Sequence, residues 1–375
     1  MKRIAIFCDG TWNSPTDDRT THVHRLHQAT PDTPDQVSRY LSGVGTGSRI
    51  NLIFTNAINK IGGGAFGWGL SGKIRDAYRH VAEAYEPGDE ILIFGFSRGA
   101  YTARSLAGMI RKAGIVSPVT DRQVRKAFDL YKQSGEDNHP DADHIHAARR
   151  HLSPRFATSD TDLTRRGDGS HLVKIAYIGI WDTVGAMGIP EPVFGPLAKL
   201  WNRRHRFHDL ELSSLVASAR HAVAIDETRE IYDVTVWNNL DRHVDTQGQE
   251  QIGLNQGQTG PDRPFQQVWC VGDHGTVGGS GRTRPLAAIT IEWIADGAQR
   301  AGLQLTPGAA LTDVLPDATV DDPEQQDPGL MNKLASAWRR GPTQRADVHD
   351  SVELRLSALG RYRPPPLRAV FPQFF

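Results

Sequence analysis

The chain has 375 residues, 38% hydrophobic and 23% charged, with 43 basic and 43 acidic side chains and a formal net charge of +0. That balance excludes a nucleic-acid footprint, which needs clustered excess positive charge, and two cysteines, Cys8 and Cys270, are too few for a disulfide framework. No stretch approaches the ~20 apolar residues of a membrane span, and the apolar run Ile4 to Cys8 is too short for the ~7–15-residue core of a signal peptide. The expectation is a chain made and folded in the cytoplasm, with signal-independent export left open.

Lys2 to Phe7 reads as a short buried strand ending at Asp9-Gly10-Thr11, an acidic residue and a glycine turning the chain into a loop. A second strand is expected from Arg39 to Gly43. A glycine-rich loop, Gly62 to Gly72, leads to a helix over Lys73 to Tyr85. There Ile74, Ala77, Tyr78, Val81, Ala82 and Tyr85 form a 3/4-spaced stripe. Pro87-Gly88 breaks it. The strand Glu90 to Phe94 carries Ser97, and a helix follows from Arg98 to Ala113.

Residues 121–152 read as helical and 155–170 as polar loop. Val173 to Ile180 is a strand ending in Trp181-Asp182. A helix fits Leu212 to Ala224. A strand fits Gln267 to Val271, ending in Gly272-Asp273-His274, and Leu286 to Ala301 is a helix. From Pro307 the chain is rich in proline and charge, with a helix expected near Met331 to Arg339.

Alternating strands and helices predict an α/β fold, a mainly parallel central sheet flanked by helices. The whole chain, 1–375, reads as one α/β domain. Helical insertions at 115–170 and 186–225 are expected to cap the carboxyl edge of the sheet, where open α/β sheets bind ligands. Residues 307–375 form a C-terminal extension.

The candidate site starts at Gly95-Phe96-Ser97-Arg98-Gly99. Gly-x-Ser-x-Gly between a strand and a helix is the pattern of a nucleophile elbow, a sharp turn that lifts a hydroxyl off the sheet. It also aims the next N–H, that of Arg98, at an oxyanion. The competing reading is a close-packed turn of small residues. A neutral serine needs a base. Nine of the histidines, including His22, His24 and His27, lie in polar segments and read as surface residues. His274 sits among glycines just past a buried strand. Asp182 ends a strand at the same sheet edge and can orient the imidazole, and the order Ser97, Asp182, His274 is that of α/β hydrolases. Asp9 reads equally as a turn aspartate or as support for Gly10 and Thr11, whose N–H groups would complete the oxyanion hole. Asp273 precedes the histidine as a second supporting carboxylate.

Several motifs in the same order resemble the α/β-hydrolase family of type VI secretion lipase effectors, the type-1 phospholipase group. They are Phe7-Cys8-Asp9-Gly10-Thr11-Trp12-Asn13, Gly43-Val44-Gly45-Thr46-Gly47, Ala65 through Leu70, Pro87-Gly88-Asp89-Glu90, Gly95 through Arg104, Trp181-Asp182-Thr183-Val184-Gly185-Ala186, His221 through Glu227, and Gly272 through Gly279. The resemblance covers about residues 1–300. It implies Ser97 as nucleophile, Asp182 as orienting acid, His274 as base, and hydrolysis of phospholipid esters. The family's histidine segment usually reads His-x-Asp-Val-Gly-Gly, and Thr276 stands where that Asp falls.

No cofactor is expected. The expected partner is an ester or lipid substrate, with transient membrane-surface contact; a secretion or immunity partner is left open, and no nucleic acid is expected. Val193 to Trp201, followed by Arg203-Arg204-His205-Arg206, reads either as a lid on an anionic surface or as a capping helix with a basic end. Two alternatives to a serine hydrolase stand. One is a metal-dependent phosphoesterase built on Asp9, Asp182, Asp273 and His274. The other is a catalytically weak, hydrolase-like binding protein.

Overall fold

The structure, a computed structural model, describes residues 1–10, 20–43, 64–184, 211–229, 232–244, 248–321 and 337–375. The strands are β1 (Arg3–Cys8), β2 (Gln36–Leu41), β3 (Glu90–Phe96), β4 (Phe156–Ala157), β5 (His171–Leu172), β6 (Lys174–Trp181), β7 (Ala219–Ala224), β8 (His243–Val244), β9 (Glu250–Gln251) and β10 (Phe265–Cys270). The helices are α1 (His22–Gln28), α2 (Gly64–Ala84), α3 (Arg98–Ala113), α4 (Asp121–Tyr131), α5 (Asp143–Leu152), α6 (Asp160–Arg166), α7 (His274–Gly278), α8 (Arg284–Arg300) and α9 (Asp350–Ala358). Among the described residues no helix is long and apolar enough to cross a membrane.

Six strands form one sheet in the order β10-β7-β6-β3-β1-β2, every neighbouring pair parallel. The fold is α/β-hydrolase-like. A parallel sheet covered on both faces needs apolar residues on both, and β3, EILIFGF, is buried at every position. Alternate side chains separate cleanly. Ile4 and Ile6 of β1, Ile91 and Ile93 of β3, and Ile178 and Ile180 of β6 pack with α2, α3, α4 and α5. Ala5 and Phe7, Leu92 and Phe94, Tyr177 and Trp181 pack on the opposite face with α1 and α8. The rings of Phe7 and Phe94 stack at 4.8 Å across the strand pair. Each of the fully buried Ile, Leu and Phe side chains among them contributes about 1.5–3 kcal/mol.

A third cluster joins the carboxyl halves of β7 and β10 to the end of the chain: Val223, Ile225, Trp269 and Val271 meet Val352, Leu356, Leu367 and Phe371. Val348 bridges Trp269 in parallel, and the His349 N–H donates to the Trp269 carbonyl at 3.0 Å. The edge of the sheet is thereby covered, which blunts its tendency to pair with other chains.

Several expectations change. Leu212 to Ala224 contains no helix; β7, ARHAVA, runs between β6 and β10. Its alanines lack β-branching, and its pairing partners decide the conformation. The glycine-rich loop Gly62 to Gly72 is helical from Gly64 onward, continuous with the stripe predicted for Lys73 to Tyr85. Residues 155–170 hold β4 and α6 as well as turns. Ser159 caps α6, and the buried Asp162 binds Arg149 and Arg166 at 2.8 and 2.9 Å. The second strand starts three residues earlier than expected.

The 115–170 insertion is helical but lies elsewhere. Tyr78 Oη donates to the Gly114 carbonyl, Arg155 pairs with Glu86, and the Lys174 N–H donates to Tyr85 Oη. These contacts sit where α2 and α3 run out, at the amino ends of the strands rather than over the carboxyl edge. Of the second expected insertion, 186–210 lies outside the described residues and 219–224 is β7. The Met331 to Arg339 helix falls largely outside them, and Ala337–Arg340 is not helical.

Candidate active site

Strand β3 delivers Ser97 at φ 56° and ψ −123°, a positive φ outside the range most side chains adopt. The two glycines of the motif make that turn possible. A Cβ on Gly95 would lie 2.5 Å from the Gly99 carbonyl oxygen, and one on Gly99 would lie 2.0 Å from the carbonyl oxygen of Cys8. Helix α3 therefore starts against the end of β1 as well as β3, at the point where the strand order reverses. Gly99→Ala is expected to lower the unfolding midpoint markedly and to abolish Ser97 reactivity, because backbone must move to admit the methyl group. Thermal unfolding and active-site titration check this together.

Asp182 follows β6, also at positive φ, 37°. His274 opens α7, immediately after the Asp273 cap. The structure brings the three together. His274 Nε2 lies 2.9 Å from Ser97 Oγ, and His274 Nδ1 lies 2.6 Å from Asp182 Oδ2. All three are buried, Asp182 completely. The imidazole is held on its faces by Tyr232, stacked at 4.5 Å, and Phe96, at 4.7 Å. The His274 N–H donates to Glu227 Oε2 at 3.2 Å, and Asp273 Oδ1 accepts from the Thr276 N–H at 2.8 Å. Asp273 thus supports the helix that carries the histidine. Thr276 enters this cap through its backbone.

Arg339 was not legible as a site residue. Its guanidinium forks onto Asp182, Nη1 to Oδ1 at 2.7 Å and Nη2 to Oδ2 at 2.9 Å. The Ala224 N–H donates to Oδ1 at 2.9 Å. Burial opposes the carboxylate charge, but the Arg339 charge and the bonds from His274 and Arg339 overcome it and hold the carboxyl far below its usual range. Glu227 was likewise missed. It follows β7, the strand expected as a helix, and an acidic residue past a strand end would have been the signal. His221 of β7 is buried and pushed down to about 3 by desolvation. Its neutral Nε2 accepts from the Thr183 N–H at 3.2 Å, fixing the turn after Asp182.

The remaining expected site residues fall differently. Arg98 is the first residue of α3, where N–H groups have no intrahelical acceptor. The Gly10 N–H donates to Asp9 Oδ1 at 2.6 Å, an arrangement that does not favour Gly10 as an oxyanion donor. Thr11 and the Val193–Arg206 segment lie outside the described residues. Asp9 accepts from Thr21 Oγ1 and Tyr40 Oη, both at 2.6 Å, and so ties β1 to α1 and β2. With Asp9 engaged there and Asp182 on Arg339, the four groups of the metal alternative do not converge. Among the described residues no group of three or more His, Cys, Asp or Glu side chains could hold a metal ion.

His22 and His24 are buried rather than on the surface; His22 packs near Trp181 and is pushed down to about 3 by burial. Cys8 and Cys270 are free and buried in the core, and burial pushes Cys8 up to about 12.

Fold and site together define an α/β-hydrolase-like protein with a serine, a histidine and an aspartate hydrogen-bonded at the carboxyl edge of its sheet. The family model of the type VI secretion phospholipase effector Tle1-like catalytic domain matches residues 2–297, and the chain belongs to that family. An uncharacterized protein of Saccharomyces cerevisiae is 27% identical over 237 residues, 61% of this chain and 31% of the yeast protein. A solved structure of an uncharacterized protein from Pseudomonas aeruginosa is 16% identical over 87% of this chain and 48% of that one, with a TM-score of 0.41. The structure of the Tle1 effector bound to the VgrG spike of the type 6 secretion system is 17% identical over 76% of this chain and 52% of that one, with a TM-score of 0.34. The chain thus spans about a third of the yeast protein and about half of each solved chain.

Proposed function

We propose that the chain is a serine ester hydrolase that cleaves lipid or phospholipid esters through an acyl-enzyme. The observation that carries this reading is the unbroken run of hydrogen bonds from Asp182 through His274 to Ser97 on a strained strand-to-helix turn. Membership in a phospholipase effector family supports the lipid class of substrate.

Ser97 Oγ attacks the ester carbonyl carbon as His274 Nε2 takes its proton. Asp182 holds Nδ1–H and stabilises the imidazolium. The Arg98 N–H, at the positive end of α3, stabilises the oxyanion. Collapse of the tetrahedral intermediate expels the alcohol, which takes the proton from His274. Water, deprotonated by His274, then attacks the acyl group and releases the fatty acid and free Ser97. The family also supports a place for the chain in type VI secretion.

The test is labelling of the purified protein with a fluorophosphonate, the modified peptide being identified by mass spectrometry. Modification of Ser97 that disappears in His274→Ala is the expected result, followed by fatty-acid release from phosphatidylglycerol and phosphatidylethanolamine vesicles. A folded protein that takes no label at Ser97 would overturn the mechanism. Labelling without fatty-acid release would restrict the reading to non-lipid esters.

A further inference from the structure

The family match ends at residue 297, yet a charge that completes the site comes from residue 339. We propose that Arg339 is a positioning residue of the Ser97-His274-Asp182 unit, fixing the Asp182 carboxylate and offsetting its charge, so that the C-terminal segment is part of the catalytic machinery. The inference rests on the serine-hydrolase reading.

Three observations carry it. The first is geometry. A planar fork meets both carboxylate oxygens at 2.7 and 2.9 Å, which fixes the plane of the carboxylate as a single point charge would not. Asp182 Oδ2 thereby stays 2.6 Å from His274 Nδ1. The second is anchoring. Arg339 Nη1 also donates to the Ala224 carbonyl at 3.1 Å and Nη2 to the Tyr232 carbonyl, while the Ala337 N–H donates to the Thr228 carbonyl at 2.9 Å. The guanidinium is thus seated on the end of β7 and on the turn whose Tyr232 ring stacks on His274. The third is that the rest of the segment is built into the body of the protein. Tyr362 Oη donates to Asp226 Oδ1 at 3.1 Å, and Asp226 Oδ2 accepts from the N–H of Gly272, two residues before His274. Leu356, Leu367 and Phe371 are fully buried against β7 and β10.

The chemical consequence concerns the proton shared by the Asp182–His274 pair. Among the described residues, the ionisable groups around that pair are His221 on β7, Glu227, Arg229, Tyr232 and Asp233 after it, Arg104 on α3, Cys270 at the end of β10, and Asp273 before α7. Of these and Arg339, Arg339 alone bonds the Asp182 carboxylate. Its charge lowers the affinity of the pair for an extra proton. Without it, the pair binds that proton more tightly, and the unprotonated form needed for attack appears only at higher pH.

The experiment compares wild type, Arg339→Met and Arg339→Lys in the full chain, reading kcat and KM for a soluble p-nitrophenyl ester from pH 5 to 9. Arg339→Met is expected to lower kcat by about 10²–10³-fold with KM changed by less than about twofold, as for loss of an interaction that orients reacting groups. The midpoint of its acid limb should rise by about one pH unit or more. Arg339→Lys keeps the charge and loses the fork, so the midpoint should stay near wild type while kcat falls about tenfold. An Arg339→Met protein with lower kcat and an unmoved midpoint would sink the electrostatic role. A Lys variant with full kcat would sink the positioning role, and this variant alone decides the matter if Arg339→Met does not fold. Wild-type protein that fails to label at Ser97 would instead sink the underlying reading, so the two failures are told apart.

Discussion

Ser97→Ala is expected to lower kcat for ester hydrolysis by about 10⁴–10⁶-fold and to leave the fold intact. The magnitude follows from the proposed mechanism, in which the hydroxyl is the nucleophile of a hydrogen-bonded triad: removing it costs nearly as much as removing all three members. The substitution deletes one oxygen from a buried side chain, and alanine meets the same backbone strain at φ 56° that serine does. What stability loses is the bond to His274 Nε2, about 1 kcal/mol. The Ser97 N–H bond to the Trp181 carbonyl, 3.1 Å, belongs to the backbone and remains. Single-turnover assay with an activated ester and thermal unfolding check the two halves. Retained turnover in Ser97→Ala protein would require a different nucleophile.

Asp182→Asn is expected to damage both chemistry and stability, which separates it from Ser97→Ala. An amide in place of the carboxylate disturbs the tautomer of His274 and removes the charge that stabilises the imidazolium, costing about 10⁴ in kcat. It also leaves the Arg339 guanidinium, 4% exposed, without its counter-ion. Removing one partner of a buried ion pair costs about 3–5 kcal/mol. The sign with pH follows from the Asp182 carboxyl, which is held far below its ordinary value in the folded protein. Its stabilising contribution is complete above the usual carboxylate range and fades only as acid protonates it, so the difference between wild type and variant is full at pH 7. Denaturant midpoints at neutral pH measure it. A variant as stable as wild type would mean that Arg339 finds other partners at no cost.

The central sheet and the placement of Ser97, Asp182 and His274 at one sheet edge were legible because they obey simple patterns. β1, β3 and β6 are largely apolar runs that Asp9, Ser97 and Asp182 follow directly, and His274 comes four residues after the end of β10, so the carboxyl edge could be read off the chain. Elements whose conformation is imposed by neighbours were hidden. β7 is rich in alanine, a good helix former, and is a strand because β6 and β10 flank it. The first turns of α2 are rich in glycine. His22 and His24 sit in a polar-looking stretch but are turned inward against the sheet face. Arg339 lies in irregular chain beyond a charged, proline-rich region, where no periodicity distinguishes it from any surface arginine. What makes it special is a partner 157 positions earlier, and that distance exists only in three dimensions.

The same separations set the order in which the protein can become competent during synthesis. Ser97 and His274 stand 177 positions apart. The carboxylate that must be buried beside them meets its cation only after residue 339 has left the ribosome. A nascent chain can form most of the sheet earlier, since domains fold as their segments emerge. Until the segment that carries Arg339 docks, however, Asp182 lacks the guanidinium that offsets its charge. On the proposed mechanism, a centre arranged in this way gains its charge balance only when the segment around residue 339 docks, and a chain that stops between residues 297 and 339 has all six strands of the central sheet but an unbalanced site.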